Sequence, residues 1–483
     1  MLTKRKKFYI TSSIAYTNAP PHLGFALEIV QADVLSRYHR LLGDETFYLT
    51  GTDEHGAKVA KKAAEEGKNP KEFCDKISKQ FEDLKRILNL SNDDFIRTTD
   101  RKRHWPTVKK VWLKLKENGD IYKKKYRGLY CEGCEAFAKE KDLINGKCPN
   151  HQKEPEIFEE ENYFFKLSKY QKKIEKALKE DEIKIIPQKR KNEMLSFIKQ
   201  GLEDISFSRP AEKLKWGIFV PHDKSQTIYV WADALVNYLS ALGYPSSKNF
   251  KKFWPANIHC IGKDILKFHA TIWPAILFSL NLPLPKNILV HGHITVSGKK
   301  MSKSLGNVID PFELVKKYGT DAVRYFLLRE IPPTEDGDFT YEKFEARYNS
   351  DLVKGLGNLV ARVITLVEKS KIKNSNFKIN PKFKIQIDKT QKEYKKALNE
   401  FKFNEALISI WELISFCDKY IEKEKPWELL KIKNLKLKII IYNLLFSLDN
   451  IAKLLQPFLP ETSEEILKQL KTKKSEILFP RIK

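Results

Sequence analysis

The feature that most constrains the fold of this chain is an alternation of strand and helix signals that begins close to the N-terminus. Phe8–Thr11 and Thr46–Thr50 have the apolar and β-branched composition of short strands. Between them, Ser12–Pro21 is predicted to form a loop, and a helix is predicted from His22 because apolar residues then recur every three or four positions. A strand–helix–strand unit of this kind favours a parallel sheet, and therefore an α/β fold.

The alternation stops and later resumes, which divides the chain into regions. Residues 116–225 are polar and charged and contain a cluster of cysteines, whereas three further strands are predicted beyond them, at Thr227–Trp231, Ile258–Ile261 and Ile288–Val290. After about residue 341 the pattern is helical, and prolines interrupt it. We interpret the chain as an α/β fold that is interrupted by an insertion and followed by an α-helical region.

Composition limits the classes of protein to which the chain can belong. Its 483 residues and 42% hydrophobic content predict two to four domains with real cores, since one domain usually takes ~100–200 residues. No apolar run reaches the ~18–20 residues of a membrane span, and the N-terminus lacks a signal-peptide core, so a cytoplasmic protein without a membrane partner is expected. The net charge of +26 fits a nucleic-acid partner, and it also fits a compositional bias, because the chain is rich in Lys, Ile and Asn throughout.

Two segments have the properties of a phosphate-binding site. The first, Pro20–Phe25, places His22 and Gly24 at a predicted helix start, where free N–H groups and the helix dipole attract anions. The second, Lys300–Ser304, places two lysines in a glycine-flanked loop, where cations stabilise the charge that develops on a leaving pyrophosphate. Together the two segments predict an ATP site.

The same segments, His22-Leu23-Gly24 and Lys300-Met301-Ser302-Lys303-Ser304, resemble the signature motifs of class I aminoacyl-tRNA synthetases. The resemblance implies a Rossmann-type catalytic domain in which an amino-acid carboxylate attacks the α-phosphate of ATP, with Mg²⁺ accompanying the nucleotide. The family pattern has a second histidine where this chain has Phe25. The catalytic residues that the resemblance implies are His22, Lys300 and Lys303. The ATP-binding residues that it implies are His22, Gly24, Glu28, Asp264, Lys300, Ser302 and Lys303.

Further segments resemble the methionyl-tRNA synthetase family over nearly the whole chain and in the expected order. They are Gly51–Gly56, Tyr229–Ala234, Ile261–Asp264, Val290–Gly292 and Asp321–Phe326. The resemblance implies an enzyme that activates methionine with ATP and loads it onto initiator and elongator tRNA(Met). The methionine pocket that it implies consists of Ile14, Tyr16, Asp53, Trp231, Ala234, Leu235, Tyr238 and His291. Aromatic rings suit a polarizable thioether, and a carboxylate suits the ammonium group of the substrate.

Three of the six cysteines lie close together and form a metal-binding pattern with a histidine. Two residues separate Cys131 from Cys134, and two separate Cys148 from His151, which is a spacing that fits tetrahedral Zn²⁺. Four protein ligands leave no open position, so one structural zinc ion is predicted. The pattern resembles the single zinc knuckle in the insertion of bacterial methionyl-tRNA synthetases. A zinc-finger nucleic-acid module is the alternative interpretation, but it leaves the lysine loop and the α/β pattern unexplained.

The helical C-terminal region carries a predicted RNA-binding set. Asn358 and Arg362 are four residues apart on a predicted helix and therefore share a face, and Trp427 stands at the start of another helix. The resemblance implies that these three residues read the anticodon, since Trp stacks on unpaired bases and Arg and Asn bond base edges. Because no additional tRNA-binding domain is seen before Lys483, a monomer is expected.

The expected domain order follows from these regions. Residues 1–115 form the first half of the Rossmann-type catalytic domain, 116–225 the connective insertion with the zinc knuckle, 226–292 the second half of the catalytic domain, 293–345 the linking domain with the lysine loop, and 346–483 the α-helical anticodon-binding domain. Two alternatives to a methionine enzyme stay open. One is a class I synthetase for another aliphatic amino acid, which usually has a larger editing insertion, and the other is a catalytically weak tRNA-binding relative, which Phe25 favours.

Overall fold

The computed structural model describes residues 5–131, 136–138, 140–150, 152–301, 306–370, 377–430 and 435–482. The chain forms two compact units. The first unit comprises Met1–Pro21, Leu42–Lys85 and Asn92–Val290, and the second unit comprises His22–Leu41, Arg86–Ser91 and His291–Lys483.

Strands and helices have the following bounds. In chain order, the strands are β1 (Lys7–Tyr16), β2 (Glu45–Asp53), β3 (Asp94–Arg97), β4 (Ile121–Cys131), β5 (Ala136–Ala138), β6 (Glu156–Phe165), β7 (Lys184–Ile186), β8 (Ile205–Ser206), β9 (Ser208–Pro210), β10 (Phe219–Val220), β11 (Asp223–Ile228), β12 (Ile258–Gly262), β13 (Asn287–His291), β14 (Ile294–Val296), β15 (Lys299–Lys300) and β16 (Gly337–Phe339). The helices are α1 (Leu23–Leu41), α2 (Ala57–Glu65), α3 (Pro70–Ile87), α4 (His104–Glu117), α5 (Gln171–Lys179), α6 (Gln188–Lys199), α7 (Val230–Ala234), α8 (Asn237–Ser240), α9 (Lys248–Phe253), α10 (Trp273–Ser279), α11 (Pro311–Tyr318), α12 (Thr320–Arg329), α13 (Tyr341–Arg347), α14 (Asn358–Ser370), α15 (Pro381–Asn399), α16 (Phe403–Glu424), α17 (Pro426–Leu429), α18 (Leu435–Leu455) and α19 (Pro460–Thr472).

Six strands of the first unit form the central parallel sheet, in the order β3-β2-β1-β12-β13-β7. Only the first residue of β1 is exposed, as expected of a parallel strand that is covered on both faces. The predicted strands that begin at Phe8, Thr46, Ile258 and Ile288 lie within β1, β2, β12 and β13. The α/β prediction is therefore confirmed.

Strand β1 is longer than the sequence pattern predicted. The loop expected from Ser12 begins later, because β1 continues to Tyr16, with an irregularity in its pairing to β2 between Thr11 and Ile14. This part of the strand was not predicted because it contains the polar residues Ser12 and Ser13. The Ser12 hydroxyl contacts the backbone oxygen of Ser13 at 2.6 Å and the Thr50 hydroxyl at 2.7 Å, so it is satisfied inside the sheet.

The strand predicted at Thr227–Trp231 is only partly correct. Strand β11 ends at Ile228, and the chain turns into helix α7 at Val230, so Trp231 lies on a helix. Strand β11 also pairs antiparallel with β9 and β10 in a separate small sheet. Short apolar runs do not distinguish a strand from a buried helix, which explains the error.

The region between residues 116 and 225 has its own antiparallel sheet, in the order β5-β4-β6-β8. Strands β4 and β6 pair along most of their length, from Ile121 opposite Phe165 to Tyr130 opposite Glu156. One strand from this region, β7, instead pairs with β13 at the edge of the central sheet. A strand of three residues is too short to show a periodic pattern, so β7 was not predicted.

The second unit is mainly helical, as predicted. It contains α1, the helices from α11 to α19, and a small sheet in the order β15-β14-β16. All the apolar positions that predicted α1, including Leu27, Val30, Val34 and Tyr38, are buried. Among the residues that the structure describes, no helix is long and apolar enough to cross a membrane.

Candidate functional site

The carboxyl ends of the central strands bring several predicted substrate residues together in the first unit. In the register of β1 and β2, Tyr16 is paired with Asp53, and Ile14 is paired with Gly51. Strand β12 lies on the other side of β1, and Asp264 follows it directly. The chain order of the strands reverses direction between β1 and β12, and ligands of parallel α/β sheets bind in the crevice at such a point.

Aromatic side chains of the first unit form a compact cluster around helices α7 and α8. Trp231 stacks on Phe268 with ring centroids 3.8 Å apart, and it meets His269 edge to face. Tyr238 is fully buried, and its hydroxyl lies 2.7 Å from His269 Nε2. Ala234 and Leu235 are buried on the same short stretch of chain.

Hydrogen bonds indicate the roles of the histidine ring nitrogens in this cluster. His269 Nδ1 donates to the backbone oxygen of Ile265 at 3.0 Å, and in the neutral tautomer that fits this bond Nε2 accepts the proton of the Tyr238 hydroxyl. His259 Nε2 accepts from Trp273 Nε1 at 3.2 Å, and burial lowers the pKa of His259 well below its ordinary value. A cluster of aromatic rings of this kind suits an apolar, polarizable side chain.

Sequence analysis missed His269 and Phe268. Both follow Asp264 by one helical turn, in a segment of wide helical turns at Phe268–Ile272. A helical reading from Asp264 would have placed Phe268, four residues on, on the same face as Asp264. Their contacts with Trp231 and Tyr238 were not visible, because those residues are distant along the chain.

The His22 segment of the second unit has the geometry of a hydrogen-bond donor at a helix start. His22 directly precedes α1, and its Nδ1 accepts the Gly24 backbone N–H at 3.0 Å, which leaves the proton of the neutral ring on Nε2. A Cβ atom at Gly24 would approach the His22 ring to 2.9 Å, so a larger residue there would displace the ring from its present position. Desolvation and the nearby His291 and His293 lower the pKa of His22, although its edge is open to solvent.

Two predicted ligand residues of the second unit, Glu28 and His291, bond to each other. His291 Nδ1 lies 2.7 Å from the backbone oxygen of Gly292 and therefore carries a proton. His291 Nε2 lies 3.0 Å from Glu28 Oε2, so the pair holds a further shared proton. Glu28 was expected near adenosine and His291 in the methionine pocket; the structure brings the two side chains into hydrogen-bond contact.

The lysine loop of the second unit starts from a hairpin of β14 and β15. Asp338 fastens this hairpin, since its Oδ1 accepts from the Gly298 backbone N–H and from the Thr295 hydroxyl, each at 2.8 Å. Lys300 is exposed at the end of β15, and Asn307 bonds its backbone oxygen at 3.2 Å. The predicted residues Ser302 and Lys303 lie outside the described residues.

Two of the three predicted anticodon residues come together in the second unit. The Arg362 guanidinium lies 5.8 Å from the centre of the Trp427 ring, within reach of a cation–π contact, and 2.6 Å from a Glu422 oxygen. Trp427 is 43% exposed, which leaves much of its ring available for stacking. Asn358 begins α14 and is exposed on its first turn.

The predicted zinc ligands are described only in part. Cys131 and Cys148 are both buried and neither is in a disulfide, whereas Cys134 and His151 lie outside the described residues. Among the side chains that are described, no three His, Cys, Asp or Glu residues converge on a metal position. The two buried thiols fit the soft donor set that Zn²⁺ prefers.

Comparison with known proteins gives the family. A profile described as tRNA synthetases class I (M) matches residues 8–156 and 138–364, and one described as the anticodon-binding domain of tRNA ligase matches residues 382–481. Methionine–tRNA ligase of Caldanaerobacter subterraneus is 44% identical over 99% of this chain and 79% of its own length. The corresponding ligase of Thermotoga maritima is 43% identical over 96% of this chain and 75% of its own.

A solved structure agrees with these matches. Mycobacterium tuberculosis methionyl-tRNA synthetase in complex with methionyl-adenylate superposes with a TM-score of 0.91 at 35% identity, covering 98% of this chain and 99% of that one. This chain belongs to the methionyl-tRNA synthetase family. Its Rossmann-type parallel sheet and its helical C-terminal region are those of a class I synthetase with an anticodon-binding domain. The predicted family and fold are confirmed.

Proposed function

We infer that this methionyl-tRNA synthetase family member is a methionine–tRNA ligase. It activates methionine with ATP to give methionyl-adenylate and pyrophosphate, and then transfers the methionyl group to the 3′ end of tRNA. The observation that carries this conclusion is the similarity to methionine–tRNA ligases over nearly the whole chain. The matched residues span both the His22 segment and the lysine loop.

We propose that the methionine pocket lies at the carboxyl edge of the central sheet. Asp53 is buried at the end of β2 and supplies a carboxylate for the substrate ammonium. The proposed pocket residues of the first unit are Ile14, Tyr16, Asp53, Trp231, Ala234, Leu235 and Tyr238, and the contacts of His269 add it to this set. His291, bonded to Glu28, keeps its proposed place at the sulfur end.

ATP is proposed to bind through the two signature segments, with Mg²⁺ on the nucleotide. The Nε2–H of neutral His22 donates to a phosphate oxygen, and Lys300 and Lys303 stabilise the charge that moves to pyrophosphate. Gly24, Glu28, Asp264 and Ser302 complete the proposed ATP set. Phe25 supplies no polar group, so His22 carries the phosphate contact of this segment alone.

The tRNA is proposed to be read by Asn358, Arg362 and Trp427 of the helical region. The exposed Trp427 ring is a stacking platform for an unpaired base, and Arg362 beside it presents hydrogen-bond donors. Initiator and elongator tRNA(Met) share the anticodon that such a site would recognise, so both are proposed substrates.

A single structural zinc ion is proposed in the insertion, held by Cys131, Cys134, Cys148 and His151. Its support is the ligand spacing and the burial of Cys131 and Cys148 as free thiols. The domain limits 1–115, 116–225, 226–292, 293–345 and 346–483 are kept as a proposal, with β7 returned to the catalytic sheet. A cytoplasmic monomer is proposed as well, and light scattering of the purified protein tests its oligomeric state.

Aminoacylation of total tRNA tests the function. The protein is incubated with ATP, Mg²⁺, total tRNA and each of the twenty amino acids in turn, and the amino acid bound to tRNA is identified. Methionine on tRNA(Met) is the expected result. Attachment of another amino acid in place of methionine would refute the assignment.

Two variants separate the proposed roles within this assay. Lys303→Ala is expected to lower the rate of methionine activation far more than the affinity for methionine. Arg362→Ala is expected to lower charging of tRNA(Met) while leaving activation intact, because Arg362 lies on α14 beside Trp427, a residue that the anticodon-binding profile matches. Equal activation by Lys303→Ala would remove that residue from the mechanism.

A further inference from the structure

A buried network in the first unit joins the two chain segments that carry proposed methionine contacts. Asp233 is 1% exposed and lies on α7, two residues after Trp231. His55 is 2% exposed and follows Asp53 by two residues. Asp233 Oδ2 and His55 Nδ1 are 2.6 Å apart, although 178 positions separate the two residues along the chain.

A second histidine occupies the other oxygen of the same carboxylate. His104 Nε2 lies 2.7 Å from Asp233 Oδ1, and His104 Nδ1 lies 2.8 Å from the Ser240 hydroxyl. Burial alone would raise the pKa of Asp233, but the contacts with His55 and His104 outweigh it and hold the pKa below its ordinary value. Asp233 is therefore ionised and accepts a hydrogen bond from each ring.

The two histidines differ in what they connect. His104 begins α4, which carries none of the proposed substrate residues. His55 belongs to the segment that follows β2, and its ring packs against Trp105 and Trp216. His55 Nε2 has no hydrogen-bond partner among the described residues, so the bond from Nδ1 to Asp233 is the polar link that this ring makes there.

We propose that His55 is a positioning residue for methionine activation, which fixes the Asp53 segment to the Trp231 helix through its bond to Asp233. The inference rests on the proposed methionine site. A carboxylate and an aromatic ring that bind opposite ends of one small substrate must keep a constant separation, and binding energy is lost when either moves. One donor at the Nδ1 position is sufficient for this link.

The chemistry of the link gives matched variants. His55→Leu removes the donor at similar volume, whereas His55→Asn keeps an N–H at the same number of bonds from the backbone as Nδ1. His104→Leu removes the other bond to the same carboxylate and is the control for a general loss of Asp233 partners. His55→Gln, which moves its amide one carbon further out, replaces His55→Leu if that variant does not fold.

Methionine-dependent ATP–pyrophosphate exchange with each variant tests the proposal. We expect His55→Leu to raise the KM for methionine about tenfold or more while the KM for ATP changes less than about twofold. His55→Asn and His104→Leu are expected to stay within about threefold of the wild-type KM for methionine, even where His104→Leu lowers the melting temperature as much as His55→Leu.

Three results would overturn the proposal: an unchanged KM for methionine in His55→Leu, an equal rise in His104→Leu, or no recovery in His55→Asn. Each of them is measured against wild-type protein that activates methionine. A wild-type protein without methionine-dependent exchange would instead refute the proposed function, so the two failures are distinguishable.

Discussion

Two buried carboxylates, one in each unit, are held by different kinds of side chain. Asp233 of the first unit lies between two histidines, whereas Asp33 on α1 of the second unit lies between Arg324 at 2.8 Å and Arg37 at 2.8 Å. Asp33 and Asp233 both have lowered pKa values, because their partners outweigh the cost of burial. The carboxylates are alike in burial and charge, and their partners differ.

The difference distinguishes a structural contact from a contact near the proposed methionine site. Arginine is charged at every working pH and has five N–H donors in a fixed plane, so it suits a buried structural ion pair. Arg324 also donates to the backbone oxygens of Leu88, Pro457 and Phe458 at 2.8–3.0 Å. Histidine donates at most one hydrogen bond from each ring nitrogen, so each histidine of the Asp233 network holds one carboxylate oxygen.

The largest effect on stability is expected from removing the ion pair between Arg324 and Asp33. Arg324→Met leaves Asp33 buried with one cation fewer and removes the donors of three backbone oxygens, so it should cost about 3–5 kcal/mol of folding free energy. Urea denaturation measures this loss. Arg37→Met is the control, since Arg37 is partly exposed and should cost less. If the two variants are equally stable, Arg324 does not stabilise the fold more than Arg37 does.

A third buried carboxylate, Asp321, sharpens the comparison because burial outweighs the charge of Arg324, which acts to lower its pKa. Burial raises the pKa of Asp321 to about 6, and the Thr462 backbone N–H donates to its Oδ2 at 2.6 Å. The folded protein binds the proton more tightly than the unfolded chain, so stability should fall as pH rises from about 4 to about 6. The loss at higher pH is about 2–3 kcal/mol, from roughly two units at 1.36 kcal/mol each.

Asp321→Asn tests this expectation. The amide oxygen still accepts from Thr462, while no charge is buried, so the variant should be more stable than wild type at pH 7.5 and equally stable at pH 4. Thermal unfolding between pH 4 and pH 8 measures the difference. A variant that is less stable at every pH would show that the ionised carboxylate stabilises this site.

A smaller effect is expected from removing the hydrogen bond between Tyr238 and His269 in the first unit. Tyr238→Phe removes the hydroxyl that donates to His269 Nε2. Leaving this nitrogen unpaired should cost about 1–2 kcal/mol, which corresponds to a fall in kcat/KM for methionine of roughly 5–30-fold. Tyr9→Phe is the matched control, because the Tyr9 hydroxyl bonds the backbone oxygen of Tyr238 at 3.0 Å and not a side chain of the proposed pocket, so its loss should change kcat/KM less. Equal losses would mean that His269 does not depend on this bond.

Local periodicity predicted the strands that begin near Phe8, Thr46, Ile258 and Ile288, and the helix that follows His22, because each is an apolar run of ordinary length. It failed at Ser12–Tyr16, where hydroxyl groups are satisfied inside the sheet, and at Trp231, where a short apolar run is helical. These errors concern element type and length.

Contacts between side chains were harder to predict from the sequence than strands and helices. The bond between His55 and Asp233 joins residues 178 positions apart, and the contact of Tyr238 with His269 depends on the packing of two short helices. The sequence motifs identified Asp53 and Trp231 as candidates, but no spacing rule connects the residues that hold them. Long-range hydrogen bonds of this kind follow from the fold and become visible only with it.

The most direct test of the whole account is amino-acid-dependent ATP–pyrophosphate exchange, measured for all twenty amino acids with the purified wild-type protein. We predict rapid exchange with methionine and much slower exchange with leucine, isoleucine and valine, because the proposed pocket of Trp231, Tyr238 and His269 favours a long thioether over branched chains. Exchange with leucine or isoleucine in preference to methionine would contradict the account. So would the absence of exchange with any amino acid in a protein that still binds tRNA tightly.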